Sequence, residues 1–445
     1  MVSPPPFPTG WIAGILALSP RDILFGYAFF YPLMMSWMWM IGGLWYFIRW
    51  ELPQRGGPEH PPELRHAPPA SILIPCFNEE QNVRDTVAYA LATEYPQFEV
   101  IAINDGSKDR TAQILDELAG QYPRLRVVHL GANQGKAMAL RAGAISARHE
   151  FLICLDGDAL LHPRAVAWMM THFAAGGRVG AVTGNPRILN RSSLLGKLQV
   201  GEFSSIIGLL KRAQRVYGRI FTVSGVIVGY RRTALHRVGY WSEDMSTEDI
   251  DISWRLQMDH WDIRYEPESL CYIYMPETFR GLWRQRMRWA RGGVEVLRKH
   301  GSKLFSWRRR RFWLVALEYA ASVVWSYVIT LVILLYFVGL VVPLPPSWRV
   351  ATLLPQWNGV MLGLTAMAQF GVSLLIDRRY EERRHFLRNY FWIIWYPMAF
   401  WLLTTMTTVV AVPQTLLRQR PTRARWVSPD RGIGRSGTPG SEERG

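Results

Sequence analysis

Cysteine is scarce in this sequence, which has three among 445 residues, at Cys76, Cys154 and Cys271. They form no C-x-x-C pair and no zinc-ligand spacing, which argues against a disulfide framework and a cysteine-based metal site. We therefore predict buried thiols in a reducing compartment. The H-E-x-x-H signature of metalloproteases and the G-x-S-x-G signature of hydrolases are also missing, so these two enzyme classes are not expected.

Acidic residues are outnumbered, with 35 Asp and Glu against 51 Lys and Arg, and the formal net charge is +16. The basic residues lie mainly beside apolar stretches, which favours contact with anionic lipid headgroups on the cytoplasmic side of a membrane. Nucleic acid is therefore not expected as a partner. The N-terminus lacks a basic segment and a small-residue cleavage site, so we expect no cleaved signal peptide.

Apolar residues make up 49% of the chain and concentrate in residues 24–48 and after residue 312. Segments long enough to cross a bilayer as helices occur at residues 26–48, 313–342, 357–376 and 388–412. These segments predict four crossings, or five if the N-terminus crosses twice. The alternative for residues 24–48 is a buried core helix. Arg308 to Arg311 precede the second segment and assign that side to the cytoplasm.

The chain divides into five parts by composition. We predict an N-terminal transmembrane region at 1–50, a linker at 51–69, a soluble α/β domain at 70–300, C-terminal transmembrane helices at 301–412 and a basic tail at 413–445. The tail holds seven Arg against three acidic residues, which conflicts with an odd number of crossings after a cytoplasmic domain. Either one segment is re-entrant or split near Pro397, or the tail departs from the rule.

Short apolar runs alternate with helical patterns in the soluble part. Strands are predicted at 71–75, 98–103, 126–130 and 151–155, with helices between them. This alternation predicts a parallel, doubly wound sheet, whose ligands bind beyond the carboxyl ends of the strands. Two amphipathic helices are also expected. The pattern of residues 195–213 predicts a helix that lies either at the membrane interface or in the core. Residues 279–299 have a similar amphipathic pattern, with Trp residues among arginines.

Polar residues follow the predicted strands where a nucleotide would bind. Asn78 and Glu79 follow the first strand, and Asp105 follows the second, where it could accept a hydrogen bond from a base or ribose. Asp156 and Asp158 follow a fully apolar strand, and their hard oxygens suit Mg²⁺ or Mn²⁺ bridging to a diphosphate. The alternative for this D-G-D motif alone is a solvated turn, but a second acidic strand end favours a site.

Gly135 and Lys136 resemble the end of a phosphate loop, but the preceding glycine and the following Ser or Thr are missing. An ATPase is therefore not expected. Lys136 stays a candidate for contact with a nucleotide sugar.

Three carboxylates stand at the start of a predicted helix. Asp249 is the candidate general base, and like charge from Glu248 and Asp251 would raise its pKa toward working pH. The alternative is that Thr247 to Asp249 form only an N-cap and acidic first turn, a role compatible with the first.

A Q-x-x-R-W motif follows about forty residues later. On a helix, Gln285, Arg288 and Trp289 share one face. Arg288 could stabilise a departing diphosphate and Trp289 could stack on a sugar, with Glu248 nearby. The alternative is that these residues anchor the helix to lipid.

Taken together, these motifs resemble a known family. In order and spacing, residues 104–107, 156–158, 247–249 and 285–289 are similar to the motifs of processive family 2 glycosyltransferases, which include cellulose, chitin and hyaluronan synthases. More narrowly, residues 223–227, 239–254 and 425–432 resemble the bacterial poly-β-1,6-N-acetylglucosamine synthases. The similarity extends from about residue 24 to residue 434.

The resemblance implies an α/β GT-A (Rossmann-like) cytoplasmic domain embedded in a transmembrane helical region of the bacterial inner membrane. It implies an inverting hexosyltransferase that uses UDP-N-acetylglucosamine and Mg²⁺ or Mn²⁺ to extend and translocate a biofilm polysaccharide. By motif, Asp105 would bind uridine, Asp156 and Asp158 the diphosphate and metal, and Asp249 would deprotonate the acceptor. The acceptor end would be held by Gln285, Arg288 and Trp289.

Such synthases usually work with a small membrane partner, and some respond to cyclic di-GMP. This chain lacks the C-terminal β-barrel domain that binds this nucleotide in bacterial cellulose synthase, so a site shared with a partner is the remaining expectation. Ser224 and Gly225 stand where cellulose synthases carry Cys-Gly.

Alternative functions remain open at this point. Nothing in the residues themselves fixes the linkage, so a chitin-type or hyaluronan-type synthase is the main alternative. A non-processive transferase acting on a lipid phosphate would not need the Q-x-x-R-W motif with apolar spans behind it. A non-catalytic export subunit would be expected to lose the acidic motifs, which are all present.

Overall fold

The computed structural model describes residues 18–54, 57–191, 193–353, 357–380 and 396–417. Residues 418–445, most of the expected basic tail, lie outside the described residues, as do residues 388–395 of the fourth apolar segment.

One mixed sheet of eight strands forms the centre of the soluble part, in the order β3-β2-β1-β4-β7-β6-β8-β5. The strands are β1 Ala70–Cys76, β2 Phe98–Asn104, β3 Leu125–His129, β4 Phe151–Leu155, β5 Leu160–Leu161, β6 Val179–Ile188, β7 Ile227–Arg231 and β8 Asp262–Ile273.

The first half of the sheet is parallel, as the sequence predicts. β1 pairs in parallel with β2 and with β4, and β2 pairs in parallel with β3. β1 is fully buried because Ile72 and Ile74 face one hydrophobic cluster while Leu73 faces the other. A strand buried on both faces reads as a continuous apolar run, which is why these strands were found from sequence.

The second half departs from the predicted all-parallel arrangement. β7 runs antiparallel to both β4 and β6, and β6 pairs in parallel with β8. The alternation of strands and helices does not reveal this reversal. The long helical segment between β6 and β7 is compatible with either direction of β7. Asp156 N donates to Val226 O at 3.1 Å, so the segment before β7 meets the carboxyl end of β4.

Helices cover both faces of the sheet. Those of the soluble part are α2 Val83–Leu91, α3 Thr111–Gln121, α4 Lys136–Ser146, α5 Ala165–Ala175, α6 Leu194–Glu202, α7 Leu210–Tyr217, α8 Arg232–Val238, α9 Glu248–Met258 and α10 Phe279–Leu304. The three cysteines are buried and form no disulfide, as expected for buried thiols.

Three helices of the described chain are long and apolar enough to cross a membrane. They are α1 Pro20–Tyr46, α11 Arg310–Val341 and α12 Trp357–Asp377, and with their extensions they span Pro20–Glu51, Trp307–Val341 and Trp357–Tyr380. α1 begins earlier than predicted because Ser19 and Asp22 form a capping box. A further helix, α13 Tyr396–Leu417, lies in the fourth predicted segment, and its crossing stays a prediction.

A buried network of charges connects α1 and α12 to the sheet. Arg212 of α7 pairs with Glu51 at 2.6 Å and with Asp377 at 2.9 Å, and Asp377 also pairs with Arg187 of β6 at 2.6 Å. All four side chains are at most 3% exposed. Tyr380 donates to Glu51 at 2.7 Å. The network fixes two membrane helices relative to the sheet.

The helical segment at 194–217 fits the core alternative weighed for residues 195–213. Its three parts, α6, a π-helical stretch Phe203–Leu209 and α7, follow one another without a break. Lys211 and Arg212 are buried inside the protein, whereas the charged face of an interfacial helix would lie toward lipid headgroups and water.

Replacing Arg212 by Met should destabilise the protein by about 3–5 kcal/mol, because Glu51 and Asp377 would remain buried without their cation. The measurement is the thermal unfolding midpoint of the detergent-solubilised chain. Arg84→Met is the matched control, since Arg84 forms an ion pair with Glu117 at the exposed surface and should cost at most about 1 kcal/mol. Equal shifts for the two variants would contradict a structural role for the network.

Candidate active site

The buried carboxylate of Asp105 organises the loop that precedes α4. Its two oxygens accept hydrogen bonds from Gln134 N at 2.7 Å and Gly135 N at 2.8 Å. Gly135 has a φ of +88°, a conformation that favours glycine. This loop therefore delivers Lys136, the first residue of α4, to the carboxyl edge of the sheet.

Lys136 joins the two halves of the sheet at that edge. Its Nζ lies 2.5 Å from Asp156 Oδ1 and 3.1 Å from Glu248 Oε1, and it donates to Gly225 O at 3.2 Å. Burial alone would lower the pKa of Lys136, but the charges of Asp156 and Glu248 hold it above its usual value. Lys136 is therefore a fixed cation between two carboxylates.

The D-G-D motif lies tightly on the end of β1. A Cβ on Gly157 would stand 2.8 Å from Pro75 O and 3.3 Å from Cγ of the buried Glu79, so only glycine fits. Asn78 has a φ of +55°, and its Oδ1 accepts from Lys108 N at 2.9 Å. Asn78 and Glu79, both predicted near the nucleotide sugar, thus shape the backbone around the site.

Asp156 and Asp158 supply hard oxygen atoms at this edge. Burial and the nearby charge of Asp158 raise the pKa of Asp156, while Lys136 opposes them. Within the described ranges, no group of three or more acidic, His or Cys side chains is placed to hold a metal alone. The donor set fits a Mg²⁺ or Mn²⁺ ion that takes two protein carboxylates and completes its shell with diphosphate oxygens and water.

Asp249 lies in the first turn of α9. Burial first and then the charge of Glu248 raise the pKa of Asp249 to about 6, against the opposing charges of Lys136 and Arg288. A Cβ on Gly225 would lie 3.2 Å from Asp249 Oδ2, so the absent side chain keeps one side of the carboxylate free of bulk. Glu248 differs from its neighbour: burial alone would raise its pKa, but the charge of Lys136, a backbone hydrogen bond and the charge of Arg288 together lower it.

The predicted contribution of Asp251 to the pKa of Asp249 is wrong. Asp251 is buried and directed elsewhere, with Oδ1 2.8 Å from His300 Nε2 and Oδ2 2.7 Å from Arg255 Nε. Burial alone would raise its pKa, but these partners hold it well below the usual value. Residues two apart on a helix point to opposite sides, so only the adjacent Glu248 shares the environment of Asp249.

The Q-x-x-R-W motif lies on α10, and α10 passes close to the start of α9. A Cβ on Gly292 would stand 1.8 Å from Thr247 Oγ1, so this crossing requires glycine. Thr247 occupies the N-cap position of α9 without a side-chain cap, which matches only part of the capping alternative. The charge of the exposed Arg288 helps to lower the pKa of Glu248 and opposes the rise in the pKa of Asp249, so Arg288 belongs to the same site.

Gln285 and Trp289 lie on the same helix with different surroundings. Trp289 packs partly against Phe203, and the guanidinium of Arg286 lies 4.2 Å from its ring centroid. Arg286 itself pairs with Glu202 at 2.7 Å. The Oε1 atom of Gln285 is buried and has no hydrogen-bond partner among the described residues. A buried amide oxygen without a partner is available to a ligand hydroxyl.

One cation of the site was missed from sequence. The buried Lys211 contacts Ser224 Oγ and lies 3.4 Å from Thr183 Oγ1. Burial lowers its pKa to about 7, and the charge of Asp249 opposes the shift. The adjacent basic residues Lys211 and Arg212 were the available signal, but they suited an interfacial helix equally well.

The arrangement combines a carboxylate of raised pKa, a fixed cation and an acidic pair beyond the ends of parallel strands. These parts suit transfer of a sugar from a nucleoside diphosphate to a hydroxyl, which needs a base and a stabilised leaving group. The fold agrees: a mannosyltransferase from Pyrobaculum calidifontis, in complex with GDP-Man and Mn²⁺, matches with a TM-score of 0.57 at 17% identity, over 89% of this chain and 97% of that chain. Fold and site thus define a GT-A glycosyltransferase.

Sequence comparison assigns the chain to a narrower family. The family described as "Glycosyltransferase like family 2" matches residues 68–292. A poly-β-1,6-N-acetyl-D-glucosamine synthase of Staphylococcus epidermidis is 37% identical over 409 residues, covering 92% of this chain and 98% of the relative. One of Staphylococcus aureus (strain COL) is 34% identical over 408 residues with the same coverage. The chain belongs to glycosyltransferase family 2, in the group of the poly-β-1,6-N-acetylglucosamine synthases.

We expect sugar transfer at saturating donor to fall by about tenfold per pH unit below pH 6, because protonated Asp249 cannot accept a proton. The raised pKa sets the direction: the carboxylate is charged above about 6 and neutral below it. The measurement is the initial rate between pH 5 and pH 8, with each sample returned to neutral pH to confirm that the loss is reversible. A flat profile between pH 7 and pH 5 would contradict this assignment.

Proposed function

We propose that this chain is the catalytic subunit of a poly-β-1,6-N-acetylglucosamine synthase, which polymerises N-acetylglucosamine from UDP-N-acetylglucosamine for a biofilm matrix. The observation that carries the proposal is the cluster of Asp249, Lys136 and Asp156. It lies in a chain that is 37% identical to a named synthase over 98% of that relative's length.

Asp249 acts as the general base in a single inverting displacement. The acceptor 6-hydroxyl gives its proton to the Asp249 carboxylate as its oxygen bonds to C1 of the donor sugar. The bond from C1 to the diphosphate oxygen breaks, and UDP leaves with that electron pair. A base with a pKa of about 6 is mostly charged at neutral pH and still strong enough to accept this proton.

The leaving diphosphate develops negative charge beside the acidic strand ends. Asp156 and Asp158 would hold a Mg²⁺ or Mn²⁺ ion, which supplies positive charge to the diphosphate oxygens when bound. Lys136 neutralises Asp156 and Glu248 through its ion pairs, so that these carboxylates repel the departing diphosphate less. The exposed side chain of Arg288 can turn toward the departing diphosphate. Asp105, Asn78 and Glu79 hold the loops around the nucleotide.

The acceptor end of the polymer lies along α10. Gln285 offers its buried Oε1 to a sugar hydroxyl, and Trp289 offers one ring face while Arg286 covers the other. The nearby candidate spans give the growing chain a path from this site into the membrane. In this proposal, processive extension and translocation depend on the closeness of the site to these candidate spans.

The division of the chain follows the same scheme. We assign residues 1–50 and 301–412 to the membrane, residues 51–69 to a linker, residues 70–300 to a cytoplasmic catalytic domain and residues 413–445 to a basic tail. The protein would be a multi-pass protein of the bacterial inner membrane. A small accessory subunit, the lipid bilayer and cyclic di-GMP at a shared site complete the proposed partners.

Membranes containing the chain should incorporate label from UDP-N-acetylglucosamine but not from UDP-glucose or UDP-glucuronate, into a product cut only by a β-1,6-specific enzyme. The assay is run with and without a co-expressed accessory subunit. A product cut by a β-1,4-specific enzyme would reassign the chain to a chitin-type synthase. Failure to form polymer under every condition would contradict the catalytic assignment.

Asp249→Asn should abolish polymer formation, with a loss of about 10² to 10⁴ in rate, while UDP binding persists, because the amide cannot act as a base. Asp116→Asn is the matched control, since Asp116 is an exposed aspartate paired with His129. Polymer formation by Asp249→Asn at the wild-type rate would remove Asp249 from its role.

Asp158→Ala should make UDP affinity insensitive to Mg²⁺ and Mn²⁺, because one of the two proposed metal-binding carboxylates is lost. Equilibrium binding of UDP with and without the metal measures the effect. Asp116→Ala should keep the wild-type dependence on metal. The metal assignment fails if Asp158→Ala keeps it as well.

A further inference from the structure

A strongly basic pocket lies away from the proposed active site, at the other end of α9. It encloses about 180 Å³. Gln257, Met258 and His260 contribute from the end of α9 and the following turn. Phe312 and six arginines complete the lining, the arginines being Arg178, Arg219, Arg308, Arg309, Arg310 and Arg311.

The positive charge of this pocket is largely uncompensated. Among the described residues, Asp262 is the one carboxylate in an ion pair with these arginines, at 3.3 Å from Arg219. Arg178 donates to His260 O at 3.0 Å and Arg309 to Lys303 O at 2.6 Å, and neutral carbonyl groups leave the charges in place. Burial, followed by Arg311 and Arg215, lowers the pKa of Arg219 despite Asp262.

The pocket lies where the chain enters the membrane. Arg310 and Arg311 are the first residues of α11, and Trp307 begins the candidate span that includes it. Phe305 is 88% exposed and Trp307 is 68% exposed beside the pocket, and an exposed Trp at the end of a span is typical of the headgroup layer. Arg178 and His260 form the wall on the side of the catalytic domain.

We propose that this pocket binds the phosphate group of an anionic phospholipid from the leaflet that faces the catalytic domain. Guanidinium groups bind phosphate oxygens in a forked geometry, and a cluster of six with one carboxylate partner among the described residues attracts an anion. The position at the mouth of α11 presents these groups at headgroup depth, where phospholipid phosphate is abundant. The site is independent of the proposed polymer chemistry.

The test uses the full chain in micelles of a neutral detergent, with phosphatidylglycerol added and bound lipid counted by native mass spectrometry. The pocket variant is Arg308→Gln with Arg311→Gln, two exposed positions whose change leaves the core intact. The matched control is Arg49→Gln with Arg378→Gln, which removes two exposed charges at the corresponding ends of the other two candidate spans.

We expect wild type and control to retain the same lipid stoichiometry, and the pocket variant to bind about 30-fold more weakly, about fivefold for each charge removed. Equal affinity in all three proteins would overturn the proposal. An equal loss in the pocket variant and the control would overturn it too, since it would show general charge attraction.

Inorganic phosphate distinguishes a lipid from a soluble ligand. Millimolar phosphate should leave phosphatidylglycerol bound to the wild type, because the headgroup is held at the membrane surface by its acyl chains. If inorganic phosphate displaces the lipid completely, the pocket is a site for a soluble phosphate compound and the lipid assignment is wrong. Phosphatidylcholine, which is zwitterionic, should bind to wild type no better than to the pocket variant.

Discussion

The ion pairs of Lys136 hold the site together. This lysine starts a helix of the parallel half, yet it donates to Gly225, 89 residues later, and pairs with Glu248 at the start of α9. Asp156, Glu248 and Asp249 would repel one another without a cation between them. One fixed charge therefore allows three carboxylates to lie close together. The pKa of Asp249 is raised, whereas that of Glu248, which pairs with Lys136, is lowered.

The close approach of α9 and α10 brings Asp249 and the Q-x-x-R-W motif into one region of the protein. The absence of a side chain at Gly292 lets α10 lie directly on Thr247, one residue before Glu248. α10 also packs against α13 and α11, so the same helix touches both the start of α9 and the apolar helices. The candidate site thus lies between the sheet and the apolar helices, beside a helix that contacts both α9 and those apolar helices.

Sequence patterns predicted much of this structure where local chemistry determines it. β1, β2 and β4 were found within one or two residues because they are buried on both faces and read as apolar runs. The acidic motifs were recognised from their places at strand and helix ends, and the amphipathic pattern at 279–299 predicted most of α10. The reversal at β7, the turning of Asp251 toward His300 and Arg255, and the burial of Lys211 were missed or misjudged. Each involves at least one partner distant in sequence, such as His300 for Asp251, which periodicity does not encode.

The network of buried charges around Arg212 can be completed only late in the synthesis of the chain. Glu51, at the end of the first membrane helix, leaves the ribosome 161 residues before Arg212. Asp377, at the end of α12, follows Arg187 by 190 residues. The catalytic domain is therefore translated before Asp377, the second carboxylate partner of Arg212, has been made. Insertion of the later membrane helices is a step in maturation of the enzyme as well as in its anchoring.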